Sequence, residues 1–472
     1  MNAGRKSCFF IAALLCFVGP ANKAFAFDFT VKADTVGEAY RVRGRDGLFT
    51  FGRTRLIQSL SLYGGHVWAA SFKKNRPLRI LLNVNLMLDH DFSVTGAELD
   101  GSSPSTFIPL LKKTSLGFLR GYLQLTYGRF KQFDFKLGRQ TAFDVTGMYA
   151  FDGVKAGFTW FGIFASDFAF GFETIPMFNL AVMDFSPQGI SWGSRDGLLE
   201  DVHPEITQPE LRPMIAATSK LLASRSGTLS IGYRRTYTDL DMNRVSHEKL
   251  SVGLSMSSVK SPLSASLVCS YDFLWNRVSE VVAKTRLQVA PRWGLDLDLV
   301  HYYPVFDSSS IFNVFYFDPF NEVALSTTFG PGADFSFTVG ALARQATRPE
   351  DDGETSAVSD GGGKLHVVLR SGRFTVTASG RITDGESGTI AGLELSPRVG
   401  LLDETLILML GGGLWYFNDP LRRGHHAISG GGSLSAAWKI YKLIKLTGTI
   451  NVYNNRISGF GASTFWVLSV RV

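Results

Sequence analysis

Polar and apolar residues alternate along many segments of this chain, and basic side chains recur at the polar positions. Such side chains could act together on an anion. Each carries a positive charge, and arginine also forms paired hydrogen bonds with a carboxylate or phosphate. The pattern therefore predicts a basic surface that favours anionic solutes. The basic residues on this polar phase, meaning the alternate positions that carry polar side chains, are Arg53, Arg55, Arg120, Lys155, Arg234, Lys284, Arg286, Lys364, Arg370, Arg373 and Arg381.

Acidic side chains share the same phase and allow a second interpretation. Neighbouring acids and bases on adjacent strands form cross-strand pairs that stabilise a sheet. The basic residues would then stiffen a wall and would not select a solute. The acidic residues on this phase are Asp134, Glu173, Asp272, Asp296, Asp298, Asp334 and Glu394.

Metal chemistry is poorly supported by the spacing of the acidic and histidine residues. Asp239, Asp241 and Asn243 resemble the start of a calcium loop. Arg244 and Leu250 stand where such a loop needs glycine and glutamate. The histidines lack metal-ligand spacing with cysteine. We therefore expect no metal and no cofactor.

Hydrolytic chemistry has one candidate group of residues, Ser246, His247 and Glu248. Because these residues are adjacent, a regular strand would point their side chains to alternate faces, and they could not form one proton relay. We expect that the protein is not an enzyme. A hydrolase assembled from separated loops stays open as an alternative.

The elements that must position these side chains are β-strands. From Lys364 to Arg381, polar residues such as His366 alternate with apolar residues such as Val367, and Ser371-Gly372 joins the two arms. This period of two predicts a hairpin whose faces meet different media. The same alternation recurs along almost the whole chain after residue 26.

The polar phase contains lysine, arginine, aspartate, serine and glycine, which suit a water-filled lumen better than the core of a β-sandwich. We therefore predict an all-β fold: a transmembrane antiparallel up-and-down β-barrel of 18–22 strands. Aromatic residues at strand ends suit the two membrane interfaces. Connections that look tight are 224–227, 290–293, 371–372 and 440–443, and those that look long are 89–118, 174–212, 304–319, 345–363 and 418–426.

The N-terminus has the pattern of a secretory signal peptide. Arg5 and Lys6 precede an apolar run from Cys8 to Val18, and Ala24-Phe25-Ala26 matches a cleavage site. We expect residues 1–26 to be removed and residues 27–472 to form the barrel. Cys269 would then be the remaining cysteine, on the apolar face of a strand. The formal charge of +7 would fall by three to +4, which argues against nucleic acid as a partner.

Barrels of 16–18 strands leave an aqueous channel, whereas 22-stranded transporters usually need a plug, and no separate plug domain is recognisable in the sequence. If the strand number is high, we expect a connection to narrow the lumen, and residues 174–212 are long enough to fold inward. Residues 306–320 combine aromatic and acidic side chains and could either stack on sugars or cap the outer rim.

The last segment resembles the closing strand of outer-membrane barrel proteins. Trp466, Leu468 and Val470 alternate with other residues up to the terminus. The resemblance implies recognition by the barrel-assembly machinery and a location in the bacterial outer membrane. That family usually ends in an aromatic residue, whereas this chain ends in Val472.

A second resemblance covers about thirty residues. Gly138-Arg139-Gln140, followed by Asp152-Gly153, is similar to paired motifs of alginate-export and related outer-membrane porins. That resemblance implies carbohydrate as the solute. The alternative is that Gly138 and Gly153 mark turns and close backbone approaches.

Together these patterns predict an outer-membrane channel for hydrophilic solutes, with carbohydrate as the leading candidate. The sharper hypothesis is export of an anionic exopolysaccharide. The expected partners are outer-membrane lipid, lipopolysaccharide, the barrel-assembly machinery and the solute. The alternatives are a general diffusion porin, an outer-membrane hydrolase and a structural barrel closed by its own loops.

Overall fold

A computed structural model describes most of the chain between Asp28 and Arg471. The described residues are 28–43, 50–68, 78–92, 114–128, 132–174, 211–224, 227–238, 240–257, 261–303, 319–330, 332, 334–349, 355–386, 388–418, 426–455 and 459–471. The predicted signal peptide and most of residues 174–212 and 306–320 lie outside them, so cleavage and an inward fold of 174–212 stay predictions.

The described chain forms one closed antiparallel sheet of 22 strands, which confirms the predicted all-β barrel. Each strand pairs with its neighbours in sequence, and β1 pairs with β22 to close the ring. The strands are β1 Asp28–Arg43, β2 Thr50–Trp68, β3 Leu78–Asp91, β4 Thr114–Tyr127, β5 Phe133–Asp144, β6 Gly147–Trp160, β7 Phe164–Thr174, β8 Arg212–Ser224, β9 Gly227–Tyr237, β10 Val245–Met256, β11 Leu263–Asp272, β12 Arg277–Ala290, β13 Trp293–Tyr302, β14 Phe320–Phe329, β15 Phe335–Pro349, β16 Thr355–Ser371, β17 Phe374–Gly385, β18 Thr389–Leu401, β19 Leu406–Asn418, β20 His426–Tyr441, β21 Ile444–Asn455 and β22 Gly459–Arg471.

The two faces of the sheet differ as the alternation predicts. In β14, Val323 and Leu325 are 47% and 54% exposed, whereas the smaller Ala324 and Ser326 between them are each 6% exposed. Small side chains are buried only on the crowded concave face of a closed sheet, so Ala324 and Ser326 face inward. We call this small and polar set the inner face, and the large apolar set the outer face.

The connections divide between the two ends of the barrel. Even-numbered strands lead to the next strand through short turns, such as residues 372–373 between β16 and β17. Every connection longer than nine residues follows an odd-numbered strand, such as residues 175–211 between β7 and β8, although β5 is followed by the two-residue turn 145–146. All four connections predicted to be tight lie at the first end, and all five predicted to be long lie at the second. β1 begins and β22 ends at the end with the short turns.

One predicted connection is wrong in extent. Residues 345–349 and 355–363 belong to β15 and β16, which leaves residues 350–354 between them. Serine, aspartate and glycine from Ser356 to Gly363 suggest a loop by composition. In a barrel, however, the inward-facing residues of a strand need not be large. The neighbouring strands β15 and β17 hold β16 in place through backbone hydrogen bonds.

The described residues contain no helix that is both long and apolar enough to cross a membrane. Two groups of buried apolar side chains lie within the sheet. One comprises Val36, Ile57 and Met87 on β1–β3. The other contains residues of β5 and β6 packed against residues of β7 and β8. At this place the β5–β6 hairpin leaves the barrel wall.

Candidate functional site at the inward hairpin

Three glycines stand side by side where the β5–β6 hairpin bends. Gly138 of β5 is paired with Gly153 of β6, which is paired with Gly171 of β7. A Cβ atom at Gly138 would lie 2.2 Å from the Gly121 carbonyl oxygen, and one at Gly153 would lie 2.1 Å from the Phe170 carbonyl oxygen. Gly138 also has a φ of +123°. These contacts are too short for any side chain, so the row of glycines permits a sharp bend of the sheet.

Beyond this row, residues 139–152 form a segment that we call the inward hairpin. Its turn, residues 145–146, is the shortest connection at its end of the barrel. The carboxylate Oδ2 of Asp144 accepts a hydrogen bond of 2.8 Å from the Thr218 hydroxyl of β8. A Cβ atom at Gly232 of β9 would lie 2.7 Å from Val145 Cγ1, and one at Gly253 of β10 would lie 2.9 Å from Val145 Cγ2. The hairpin therefore crosses β7 and reaches three strands farther along the wall.

The hairpin lies on the inner face of that wall. Thr218, Gly232 and Gly253, which it contacts, alternate with the exposed apolar residues Ile231 and Leu254 of the outer face. Successive residues of a strand point to opposite faces. A segment that touches the small and polar set must therefore lie inside the barrel, where it narrows the lumen.

Apolar packing holds the hairpin against the wall. Ala142, Tyr149 and Phe151 of the hairpin form one buried cluster with wall residues, which are Ala169 of β7 and Met214 and Ala216 of β8. Phe151 is fully buried. Burying a phenylalanine side chain contributes about 1.5–3 kcal/mol, so this contact stabilises the inward position.

The Asp144 carboxylate fixes the tip of the hairpin. Its Oδ1 accepts hydrogen bonds from the Thr146 amide at 2.8 Å and the Thr146 hydroxyl at 2.6 Å. Its Oδ2 accepts hydrogen bonds from the Tyr149 hydroxyl at 2.9 Å and from Thr218. Three of these four donors belong to the hairpin and one belongs to the wall. The carboxylate therefore shapes the turn and attaches it to the wall.

The resemblance motif forms the base of the hairpin. Arg139 and Asp152 face each other across β5 and β6, with Nε–Oδ1 and Nη2–Oδ2 distances of 2.7 and 2.6 Å. Arg139 also donates to the Phe118 carbonyl at 2.7 Å. The buried Gln140 donates to the Gly153 carbonyl at 3.3 Å. The geometry supports the close-approach interpretation of the two glycines and brings all five motif residues together.

Four cations follow a single register row beneath and beside the hairpin. Lys136 is paired with Lys155, Lys155 with Ala169, Ala169 with Ala216, Ala216 with Arg234, and Arg234 with Lys249. We call the four charged residues the basic row. Directly paired like charges are unfavourable, and the row contains two such pairs, one on each side of the alanines that the hairpin covers.

Counter-charges reach part of the basic row. Lys155 Nζ lies 3.2 Å from Asp167, and Lys249 Nζ lies 3.4 Å from Glu280. Lys136 lies over the Tyr122 ring and Arg234 over the Tyr149 ring, at 5.4 and 5.3 Å from the ring centroids. The row therefore keeps positive charge on both sides of the hairpin.

The other predicted basic residues have mixed surroundings. Ion pairs join Arg55 to Asp89, Arg286 to Asp296 at 3.7 Å, and Arg373 to Asp403 at 2.7 Å. These pairs agree with the cross-strand interpretation. Lys364 stands directly opposite Arg381, and Lys284 stands opposite Asp298. Arg120 is half-buried on β4, Arg370 is exposed near the end of β16, and the Arg53 side chain lies outside the described residues.

Sequence reasoning missed several residues of the site. Lys136 and Lys249 were absent from the predicted basic set, and Asp144 and Tyr149 had no predicted role. The available signal was Asp144-Val145-Thr146-Gly147, because aspartate two residues before a threonine amide favours a tight turn. The spacing of Gly138, Gly153 and Gly171 was a second signal, which requires knowledge of the strand register.

The catalytic candidates do not assemble in the described residues. Ser246 lies at a register shift in β10, so it and His247 both stand opposite Thr236. The Ser246 hydroxyl and His247 Nε2 are buried without a hydrogen-bond partner, so they form no relay. The described part of the chain also contains no cluster of histidine, cysteine, aspartate or glutamate suited to a metal ion.

Neither a protein-family model nor a curated protein matches this chain. Solved structures do resemble it. OccAB4 of Acinetobacter baumannii is 10% identical, with 96% of this chain and 100% of that chain covered and a TM-score of 0.45. OpdQ of Pseudomonas aeruginosa is 8% identical, with 94% and 99% covered and a TM-score of 0.44. A BenF-like porin from Pseudomonas fluorescens Pf-5 is 8% identical, with 94% and 98% covered and a TM-score of 0.46.

Proposed function

We propose that this chain forms an outer-membrane channel for hydrophilic solutes, narrowed by the inward hairpin. The observation that carries the proposal is a hairpin docked inside a closed barrel, with a basic row on the wall around it. A polar passage with a charged constriction selects among small solutes by size and charge. The proposed channel is therefore selective for anions.

The outer face supports the membrane location. Large apolar side chains are exposed along successive strands, as in Leu254, Leu325 and Leu434. Exposed tryptophans lie near strand ends, including Trp160 and Trp293 at the end with the short turns. An apolar band with aromatic margins suits a bilayer and its two interfaces. Outer-membrane lipid and lipopolysaccharide are the proposed surroundings, and the barrel-assembly machinery is the proposed partner of β22.

Carbohydrate is the proposed solute, and the sharper proposal is an anionic exopolysaccharide. The support comes from the basic row and from the similarity of residues 138–140 and 152–153 to alginate-export porins. An acidic polymer carries many hydroxyl groups and regularly spaced carboxylates. A lumen that combines serine and threonine hydroxyls with separated cations offers partners for both kinds of group.

The channel is tested by single-channel recording in planar bilayers. The chain should give anion-selective current. Replacing residues 142–149 with Gly-Gly should raise conductance, because the tip no longer occupies the lumen. The matched control replaces the exposed residues 241–243 of the β9–β10 connection with Gly-Gly and should leave conductance unchanged. Silent insertion of a correctly folded barrel would contradict a channel and favour the loop-closed barrel.

Polymer export is tested by deleting the gene. The deletion strain should still synthesise the polymer but fail to display it on the cell surface. Normal surface polymer would contradict export and leave the general diffusion porin. Hydrolysis of lipid or peptide by the purified protein would instead favour the hydrolase.

A further inference from the structure

Three lysines lie together at the short-turn end of the β20–β21 hairpin. Lys439 is close to the end of β20, Lys442 lies in the turn, and Lys445 is close to the start of β21. All three residues are exposed, and the sequence of the hairpin from His426 to Asn455 contains no acidic residue. We call these three lysines the lysine end. A solute can therefore reach the charges, and no carboxylate of the same hairpin offsets them.

Strand phase places Lys439 and Lys445 on the inner face. The outer face of β20 is marked by Leu434, which is 51% exposed, and that of β21 by Ile450, which is 55% exposed. Each lysine is an odd number of residues from the marker on its strand, so its side chain takes the opposite face. The two lysines therefore face the lumen at its short-turn end and do not face lipid.

The two inner-face lysines repel each other. Lys439 stands directly opposite Lys445 in the strand register. Like charges at directly opposite positions destabilise a sheet. Among the described residues, no member of the lysine end has an ion-pair partner. A ligand that carries several negative charges would relieve this repulsion.

The surroundings of the hairpin leave the positive charge in excess. The flanking strands β19 and β22 contain no acidic residue. The turn before β19 contributes Asp403, which is 2.7 Å from Arg373, and Glu404. Farther along the same register row, Asp34 of β1 is 2.7 Å from Lys32. The lysine end therefore faces one carboxylate, Glu404, that has no cationic partner in the described part of the chain.

Hydroxyl groups follow the lysines along the inner face. The next inner positions are Ser435 and Ser433 on β20 and Thr447 and Thr449 on β21. Short turns of outer-membrane barrels face the periplasm. A solute that enters from the periplasm on this side therefore meets positive charge first and hydroxyl groups next. This order suits a polymer that carries both carboxylates and hydroxyl groups.

We propose that the lysine end is the entry site for an acidic sugar polymer, whose carboxylates it binds at the periplasmic end of the barrel. A polymer can contact several lysines at once, whereas the attraction of one exposed charge for a small ion is screened within about 8 Å at physiological salt. Selectivity among small ions therefore stays with the basic row. The inference rests on the proposed export function and adds a direction to it, because the polymer is bound first on the periplasmic side.

A pair of triple variants tests whether the three lysines act together. The lysine variant carries Lys439→Gln, Lys442→Gln and Lys445→Gln. The matched control carries Arg79→Gln, Lys220→Gln and Arg292→Gln, which remove the same number of charges at the same end from three separate hairpins. Heat-modifiable migration in gels should show that both variants fold.

The measurement is calorimetric titration of the detergent-solubilised protein with the hexamer of galacturonic acid. Each exposed charge pair contributes little, but the loss of three should raise the dissociation constant about tenfold in the lysine variant and less than about twofold in the control. Added salt should weaken wild-type binding and reduce the difference between wild type and the lysine variant. No weakening in the lysine variant, or equal weakening in both variants, would overturn the entry site.

An acidic peptide distinguishes a sugar polymer from a protein partner. Hexaglutamate carries a similar charge but no sugar hydroxyls, so it should bind the wild-type protein more weakly than the galacturonate hexamer does. Equal affinity for the two hexamers would assign the lysine end to an acidic protein segment as readily as to a sugar polymer, and would overturn the proposal. The galacturonate monomer should bind weakly to wild type and to both variants alike, because it meets only part of the lysine end.

Current recordings test the direction. In single wild-type channels, the galacturonate hexamer should block at a lower concentration from one side than from the other, and the lysine variant should lose this difference. Equal block from both sides of the wild type would contradict an entry site at one end. Lysine-dependent binding by a silent barrel would contradict the channel and keep the site, whereas conduction with lysine-independent binding would do the reverse.

Discussion

Glycine has opposite roles in two regions of the barrel. At the bend of β5, β6 and β7, a Cβ atom at Gly153 or Gly171 would lie 2.1 or 2.3 Å from a backbone oxygen. On the far side, a Cβ atom at Gly412 or Gly448 would have no neighbour nearer than 3.9 Å, and one at Gly361 would meet nothing within 4 Å. The first region uses inner-face glycines to bring backbones together. Gly361, Gly412 and Gly448 share the strand phase of the exposed Leu365, Leu410 and Ile450, so they lie on the outer face, where no backbone crowds them.

The difference shows how a wide barrel acquires a constriction without a separate domain. The inward hairpin is part of the wall, and one row of tight glycines redirects it. Four substitutions test this comparison, in order of decreasing expected effect.

Gly153→Ala should have the largest effect, because its methyl group would meet the Phe170 backbone, which cannot move aside. We expect a loss of about 3 kcal/mol in unfolding free energy, as for severe overpacking. The matched control is Gly412→Ala, which should change stability by less than about 0.5 kcal/mol. Urea unfolding in detergent micelles measures both. Equal stability of the two variants would break the distinction between the two regions.

Asp144→Ala should detach the hairpin tip. It removes the acceptor of four hydrogen bonds and leaves the buried Tyr149 and Thr218 hydroxyls without an acceptor. We expect the free energy of unfolding to fall by about 2 kcal/mol. Single-channel recordings should show higher and noisier conductance. The control is Asp384→Ala, at the exposed β17 end, where Thr389 is the donor. A rise in conductance in the control as well would show that the tip contact is not responsible.

Gly253→Ala should displace the tip by a smaller amount. The new methyl group would lie 2.9 Å from Val145 Cγ2 and 2.8 Å from Ser230 Oγ, and both are side-chain atoms that can move. We expect a loss of about 1 kcal/mol and a smaller rise in conductance than in Asp144→Ala. Gly227→Ala, whose nearest neighbour would be 3.8 Å away, is the control. Unchanged conductance in Gly253→Ala would place the tip outside the conducting path.

Lys136→Gln should have the smallest effect on stability, since it removes one member of a like-charge pair worth less than about 1 kcal/mol. Its main result should be a lower anion-to-cation permeability ratio, because the basic row loses one charge. Lys445→Gln, opposite Lys439 near a short turn, should leave selectivity unchanged. Equal effects of the two variants would favour a general electrostatic contribution of the barrel over a specific row.

The fold was predictable to a large extent because period-two alternation depends on local sequence. The predicted all-β barrel is confirmed, and its 22 strands lie at the upper limit of the predicted range. The error at residues 345–363 has a physical cause. Glycine and serine suggest a loop when every position of a strand is assumed to need a bulky side chain. The inward-facing positions of a barrel strand do not need one.

The site was predictable only in part. The polar phase of the strands contained Lys155 and Arg234, but a one-dimensional pattern could not show that alanines of β7 and β8 separate them in one row. Gly138 and Gly153 could be read as sites of close backbone approach. That they stand opposite one another and turn a hairpin inward depends on the pairing of β4–β7.

The sequence by itself determined the strands, their two faces and the inequality of the two barrel ends, because each follows from neighbours within a few residues. Only the tertiary structure decided that the hairpin folds inward, that Asp144 attaches it to Thr218, and that the basic row lies beneath and beside it. Asp144 and Thr218 are separated by 74 residues. Contacts at such a distance arise from sheet register and barrel closure, which no local pattern contains.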